Sequence, residues 1–118
     1  MNRKVFISYN VADRELVGPV TTWLRASDPA PAEIVDPVGS ISSAQDVRSV
    51  IRNSIATCDS MVVIWSDRAA ESRWVHYEMG MAKALGKPIV VVLAGGSPAA
   101  LPRELGDAQQ VRLDATSA

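Results

Sequence analysis

Short apolar segments alternate with segments of helical periodicity along this 118-residue chain. Residues 4–9, 60–65 and 88–93 are mostly apolar, which predicts strands that are covered on both faces. Apolar residues recur at helical spacing in three longer segments, which are residues 13–25, 44–58 and 73–85. Strands that alternate with helices in this way are typical of a parallel sheet, so the sequence predicts an α/β domain.

Weaker patterns complete this sheet. Residues 33–36 predict a short second strand, residues 109–113 an edge strand, and residues 99–105 a short helix. Residues 66–72 predict a polar loop. The sequence therefore predicts a doubly wound, flavodoxin-like, three-layer domain whose five-stranded parallel sheet has the order 2-1-3-4-5. We expect residues 1–118 to form one domain.

Prolines and a glycine indicate where two of the helices begin and end. Pro19 falls inside the first helical segment and leaves the start of that helix open. Gly86 predicts the end of the helix over residues 73–85, because glycine is common just after a helix, and Pro88 prevents its continuation.

Composition narrows the classes of function. The chain has 12 basic and 13 acidic residues and a net charge of −1, so we expect neither nucleic acid nor a membrane surface as a partner. No apolar run is long enough to span a bilayer, and the first residues lack the apolar length and cleavage site of a signal peptide. Cys58 is the single cysteine, which excludes an internal disulfide and a cysteine-rich zinc site. We therefore expect a cytoplasmic protein without a metal site.

Glu78 stands out within the helix predicted over residues 73–85. The apolar face of that helix consists of Trp74, Val75, Met81, Ala82 and Leu85. Glu78 projects near the centre of this face, whereas His76 falls on the polar face. A carboxylate aimed into a domain is costly unless it is paired, neutral or lining a cleft. Position alone leaves two interpretations open, a functional acid or a structural one whose tip reaches solvent or a backbone donor.

The predicted strand order locates a ligand site. Doubly wound sheets bind ligands beyond the carboxyl ends of the strands, where the strand order reverses. The loops after Tyr9, Asp36 and Trp65 would meet at that edge, and the last of them leads into the helix that carries Glu78. This proximity favours a functional role for Glu78.

Three segments, taken in order, resemble the TIR (Toll/interleukin-1 receptor) domain family. They are Val5-Phe6-Ile7-Ser8-Tyr9 with Asp13, then Ser72-Arg73-Trp74-Val75-His76-Tyr77-Glu78, then Gly86-Lys87-Pro88-Ile89. The Trp-x-x-x-Glu pattern after the third strand is the most specific of the three and is that of the bacterial type. The resemblance extends over nearly the whole chain.

The resemblance implies an enzymatic function. Bacterial and some eukaryotic TIR domains cleave NAD+ at the nicotinamide–ribose bond with the glutamate of this motif, which carries over to Glu78 as the catalytic residue. Nicotinamide leaves from a positively charged ring without a general acid, and a carboxylate stabilises the oxocarbenium-like transition state. Attack by water gives ADP-ribose and internal attack gives a cyclic product. The resemblance thus implies an NAD+ glycohydrolase or cyclase of bacterial anti-phage immunity or cell death, with NAD+ as substrate and no cofactor.

Five further residues are candidates for substrate binding: Ser8, Tyr9, Asp36, Ser66 and Trp74. Ser8 and Tyr9 resemble family positions that line the nucleotide pocket, and each can equally cap a turn. Asp36 ends the second strand, where an acid often reads a ribose, or else forms an Asx turn. Ser66 would either contact the substrate or only start the loop after the third strand. Trp74 shields the site or packs in the core.

The family also implies partners. TIR domains associate with one another and commonly complete their sites between subunits, and they occur with fused or separate effector and sensor proteins. The chain can therefore be one part of a longer protein. Residues 37–43 are short for the family's loop at this position, which covers the nucleotide or joins neighbouring domains.

Two other functions remain open. A TIR adaptor binds other TIR domains and catalyses nothing, although such adaptors commonly lack the glutamate that this chain retains. A nucleoside deoxyribosyltransferase-like enzyme has a related doubly wound fold and also uses a glutamate on N-ribosides.

Overall fold

Five parallel strands form the sheet of this domain. The computed structural model describes residues 3–26, 33–36, 47–94, 101, 105 and 108–112. The strands are β1 (Lys4–Ser8), β2 (Glu33–Val35), β3 (Ser60–Trp65), β4 (Ile89–Leu93) and β5 (Gln109–Arg112). All four neighbouring pairs are parallel, in the order β2-β1-β3-β4-β5. The predicted fold class and strand order are confirmed.

The helices lie on both faces of this sheet. They are α1 (Val17–Arg25), α2 (Val47–Thr57), α3 (Asp67–Ala70) and α4 (Arg73–Ala84), and a 3-10 turn (Val11–Leu16) precedes α1. Pro19 lies in the first turn of α1, where its missing N–H leaves no helical hydrogen bond unmade. The α-helix therefore begins later than residue 13, and the preceding turn has the tighter geometry.

Helix α3 corrects the predicted loop over residues 66–72. The helix has four residues, too few to produce a periodic apolar pattern. It forms because the Ser66 side chain accepts a hydrogen bond from the Ala69 N–H at 3.1 Å. The predicted loop over residues 37–43 and, apart from Leu101 and Leu105, the predicted helix over residues 99–105 lie outside the described residues.

The sheet separates two apolar layers. On one face Phe6, Met61 and Val63 pack in a cluster that includes buried residues of α2 and α4. On the other face Val5 and Ile7 share a cluster with buried residues of α1. Successive strand residues point to opposite faces, so the last residue of β1 and the residue after it are directed to different layers.

Two glycines, one just after α4 and one inside it, are expected to change the free energy of unfolding in opposite directions when each is replaced by alanine. Gly86 has φ 71°, its N–H donates to Lys83 O at 3.1 Å, and the Lys87 N–H donates to Ala82 O at 2.9 Å, which confirms the predicted glycine cap. We expect Gly86→Ala to lower the free energy of unfolding by about 1 kcal/mol, because a Cβ disfavours this left-handed conformation.

Gly80 is the matched control because it lies exposed inside the same helix. Among the described residues, a Cβ at Gly80 would meet nothing within 4 Å beyond the neighbouring backbone of its own helix. We expect Gly80→Ala to raise the free energy of unfolding by about 0.5–1 kcal/mol, since alanine has the higher helix propensity. Urea unfolding measures both variants, and shifts of the same sign would contradict this account of the helix end.

Candidate functional site

Glu78 lies in the second turn of α4, on its buried face. Helix α4 begins after Ser72, whose side chain accepts a hydrogen bond from the Val75 N–H at 3.2 Å. Helical side chains lean toward the amino end of the helix, which directs Glu78 toward the carboxyl edge of the sheet. Its side chain and backbone together are only 1% exposed. The helical phase of the sequence predicted this position on the apolar face.

Ser8 holds one oxygen of the Glu78 carboxyl group. Ser8 is the last residue of β1 and fully buried, and its Oγ donates to Glu78 Oε1 at 2.7 Å. The second oxygen, Oε2, is buried and has no hydrogen-bond partner among the described residues. The Trp74 indole lowers the pKa of Glu78 without reaching hydrogen-bond geometry at Oε2. A buried carboxyl oxygen without a partner is unusual in a folded protein and points to a ligand or a catalytic role.

Burial changes the acidity of Glu78. It raises the pKa of this carboxyl group from 4.5 to about 7. The hydrogen bond from Ser8 and the Trp74 indole act in the opposite direction, and the negative charge of Asp36 raises the pKa further. Glu78 therefore changes its charge near neutral pH, as acids of active sites often do.

Tyr9 and Asp36 form a second pair at the same edge. The Tyr9 hydroxyl donates to Asp36 Oδ1 at 2.9 Å and to Oδ2 at 3.0 Å. Tyr9 is buried, and burial together with the hydrogen bond to Asp36 raises its pKa to about 12. The phenol therefore stays protonated and keeps donating to the half-buried Asp36. The negative charge of Asp36 also acts on Glu78, which links the two pairs electrostatically.

Trp74 and His76 occupy the first turns of α4 beside Glu78. Trp74 is half-buried, packs against the core and stacks on Tyr77 with ring centroids 5.7 Å apart. His76 is also half-buried, in contrast to its predicted position on the polar face. Its Nε2 donates to Ala70 O at 2.8 Å, and its ring meets that of Trp65 edge-on. His76 therefore joins α4 to α3.

Ser66 belongs to a different cluster, which links the loop after β1 to the loop after β3. Its Oγ donates to Asp13 Oδ2 at 2.5 Å, and Arg68 Nη1 lies 3.2 Å from Asp13 Oδ1. Asp13 is only 4% exposed. Asp13 does not cap the 3-10 turn, because the Asn10 side chain accepts the hydrogen bond from the Ala12 N–H there. The predicted adjacency of β1 and β3 was the signal that could have placed Asp13 beside Ser66.

Four of the six candidate site residues thus form two hydrogen-bonded pairs, Ser8 with Glu78 and Tyr9 with Asp36. The negative charge of Asp36 acts on Glu78 and links the two pairs. Trp74 adjoins them one turn before Glu78, and Ser66 is engaged with Asp13 and Ala69 instead. This set offers two carboxyl groups to hydroxyl-bearing or cationic ligands. Within the described ranges, no three His, Cys, Asp or Glu side chains come together as metal ligands. No helix in the same ranges is long and apolar enough to cross a membrane.

Solved structures share this architecture at low sequence identity. The TIR domain of the Toll-related receptor TRR-2 from Hydra magnipapillata superposes with a TM-score of 0.73 at 14% identity, over 96% of this chain and 86% of that one. The Clostridium botulinum CMP N-glycosidase BcmB superposes with a TM-score of 0.66 at 19% identity, over 98% and 92% of the two chains. The TIR domains of the activated Roq1 resistosome, which recognises the pathogen effector XopQ, give a TM-score of 0.62 at 17% identity, over 81% of this chain and 60% of that one. At these identities the likeness establishes the fold alone.

Sequence comparison adds the family. A comparison with curated proteins gives no significant match. The family model described as "TIR domain" matches residues 5–118, nearly the entire length. On the strength of that match, and of the fold it shares with solved TIR domains, the chain belongs to the TIR domain family.

Proposed function

We propose that this TIR domain cleaves NAD+ at the nicotinamide–ribose bond, with Glu78 as the catalytic residue. The observation that carries the proposal is the buried carboxyl group of Glu78, whose Oε1 is held by Ser8 and whose Oε2 has no partner among the described residues. A substrate group that meets Oε2 would supply the missing interaction. The position at the carboxyl edge of a doubly wound sheet is where this architecture binds nucleotides.

The chemistry requires one carboxylate. The C1′–N bond to nicotinamide breaks, and its electron pair leaves with nicotinamide as a neutral ring. The ribosyl group becomes an oxocarbenium ion, which the Glu78 carboxylate stabilises, and water then adds to C1′ and releases a proton. Attack by another atom of the same nucleotide would replace water and give a cyclic product.

Ionised Glu78 is the active form in this scheme. Its pKa of about 7 leaves a substantial carboxylate fraction at neutral pH. The positive nicotinamide ring of a bound NAD+ favours the carboxylate further, because an opposite charge nearby lowers the pKa of an acid. Since Glu78 is 1% exposed, a ribose reaches Oε2 only after the side chains around it move apart.

Asp36 and Trp74 are the substrate contacts we propose beside Glu78. The half-buried Asp36 carboxylate, which Tyr9 holds in place, can accept hydrogen bonds from ribose hydroxyls. Trp74 lies one turn before Glu78 and offers an aromatic face to the nicotinamide ring. Tyr9, Ser8 and Ser66 then act through their hydrogen bonds to acidic side chains.

We further propose that the active protein is a cytoplasmic assembly of TIR domains in bacterial immune signalling. TIR domains form part of the Roq1 resistosome, which is named for its recognition of a pathogen effector. Association of two or more copies would complete the site between subunits, either alone or through a fused or separate effector or sensor. In that case the specific activity rises with protein concentration.

The test is incubation of concentrated protein with NAD+, followed by chromatography of the products. We expect release of nicotinamide, at a specific activity that increases with protein concentration or crowding. CMP and deoxyribonucleosides serve as parallel substrates, because one structural neighbour is a CMP N-glycosidase. Cleavage of these substrates without cleavage of NAD+ would assign the site to nucleosides or nucleotides. No cleavage of any substrate under crowding would favour a non-catalytic adaptor.

A further inference from the structure

We propose that Ser8 is a positioning residue that holds Glu78 Oε1 and so reserves Oε2 for the substrate. The inference rests on the proposed function, because it assigns the two carboxyl oxygens of the same glutamate to different tasks. In this role Ser8 acts through Glu78 and does not contact the substrate itself.

The contact between Ser8 and Glu78 is built from two rigid elements. Ser8 ends β1 and pairs with Val63 of β3, and the earlier part of β1 also pairs with β2. Glu78 lies on α4, which packs against this strand and against β3. The Oγ–Oε1 distance of 2.7 Å is that of a strong hydrogen bond to a carboxyl group.

The hydrogen bond to Oε1 separates the role of Ser8 from that of a substrate contact. Ser8 is 0% exposed and its hydroxyl proton is directed to Glu78. A ribose hydroxyl that approaches the carboxyl group meets Oε2, the oxygen without a described partner. A hydrogen bond at Oε1 also limits rotation of the carboxyl group, which keeps Oε2 directed to one position.

The hydrogen bond acts on the ionisation of Glu78 as well. The Ser8 hydroxyl stabilises the carboxylate and offsets part of the effect of burial on its pKa. Asp36 is the charged group whose effect on the pKa of Glu78 is opposite to that of Ser8. It follows β2 and accepts the hydrogen bond from the Tyr9 hydroxyl. Removal of the Ser8 hydroxyl therefore leaves burial and Asp36 opposed by Trp74 alone, and the midpoint of Glu78 titration moves to higher pH.

The experiment compares Ser8→Ala with Ser54→Ala in the full chain. Ser54 is a half-buried serine on α2 whose Oγ donates to Val50 O at 2.9 Å, so its removal deletes a hydrogen bond away from Glu78. Two readouts are needed: the titration of the 13C-labelled Glu78 carboxyl carbon by NMR, and kcat and KM for NAD+ as functions of pH. The first readout does not depend on activity.

We expect Ser8→Ala to raise the titration midpoint of Glu78 by about one pH unit or more, as loss of a hydrogen bond to a charged group implies. At pH 7 kcat falls about tenfold while KM stays within about twofold, because the hydroxyl does not contact the substrate. Ser8→Cys, which keeps a weak donor of similar size, lies between the wild type and Ser8→Ala. Ser54→Ala matches the wild type in both readouts.

The outcomes separate this inference from the proposed function. Active wild-type protein combined with an unshifted Glu78 midpoint in Ser8→Ala overturns the role of Ser8 alone. A change confined to KM would instead make Ser8 a substrate contact and would also overturn it. Wild-type protein that leaves NAD+ intact defeats the proposed function, whatever the titration of Ser8→Ala.

Discussion

Glu78→Gln is expected to reduce the rate of NAD+ cleavage by at least about 10³-fold while the domain remains folded. Glutamine has nearly the same shape as glutamate, and its amide oxygen still accepts the hydrogen bond from Ser8 at the position of Oε1. It carries no negative charge, so it cannot stabilise an oxocarbenium-like transition state. The measurement is chromatographic release of nicotinamide, with far-UV circular dichroism and thermal unfolding as checks of the fold.

Glu71→Gln is the matched control for this variant. Glu71 is an exposed glutamate at the carboxyl end of α3, a few residues before α4, and its replacement removes the same charge from the same region of the chain. We expect it to retain the wild-type rate within about twofold, because the charge of an exposed side chain is largely screened by water and salt. A Glu78→Gln protein that keeps a tenth or more of the wild-type rate would show that Glu78 is not the catalytic group.

The periodicity of the sequence predicted the sheet because the strands are covered on both faces. Buried parallel strands are continuous apolar runs, and residues 61–65 of β3 are all buried in the structure. The helical phase likewise placed Glu78 on the buried face of α4. The elements that escaped prediction are the 3-10 turn before α1 and the four-residue α3, which are too short for periodicity and depend on single capping side chains, Asn10 and Ser66.

The partners of the site residues were harder to predict than the residues themselves. Ser8 and Glu78 are 70 positions apart, and their contact depends on which face of β1 Ser8 takes and on how α4 is placed along the sheet. His76 was predicted on the polar face, but the unpredicted α3 brings its Ala70 carbonyl against the imidazole. Sequence patterns give the direction of a side chain on its own element, whereas hydrogen bonds across elements require the packed structure.

The pH dependence of folding offers a measurement of Glu78 that needs no substrate. Its pKa is 4.5 in the unfolded reference and about 7 in the folded domain. Between these values the folded protein binds more protons than the unfolded chain, so the free energy of unfolding falls as the pH rises through this window. Below the window both states are protonated and Glu78 has no effect, and above it the full cost of burying the carboxylate is present.

We expect this cost to reach about 3 kcal/mol at pH 8, a large share of the stability of a domain of this size. Glu78→Gln removes the titrating group, so the difference in unfolding free energy between the two proteins should change by about this amount from pH 4.5 to pH 8, with the variant more stable at the higher pH. Urea unfolding at several pH values measures the difference, in which the contributions of titrating groups that do not interact with Glu78 cancel. Parallel profiles for the two proteins would mean that the carboxyl group has an ordinary pKa. Because stability and catalysis then depend on one ionisation, the pH above which Glu78 causes no further loss of stability should coincide with the midpoint of the rise in kcat/KM for NAD+, since both report the pKa of Glu78 in the free folded protein.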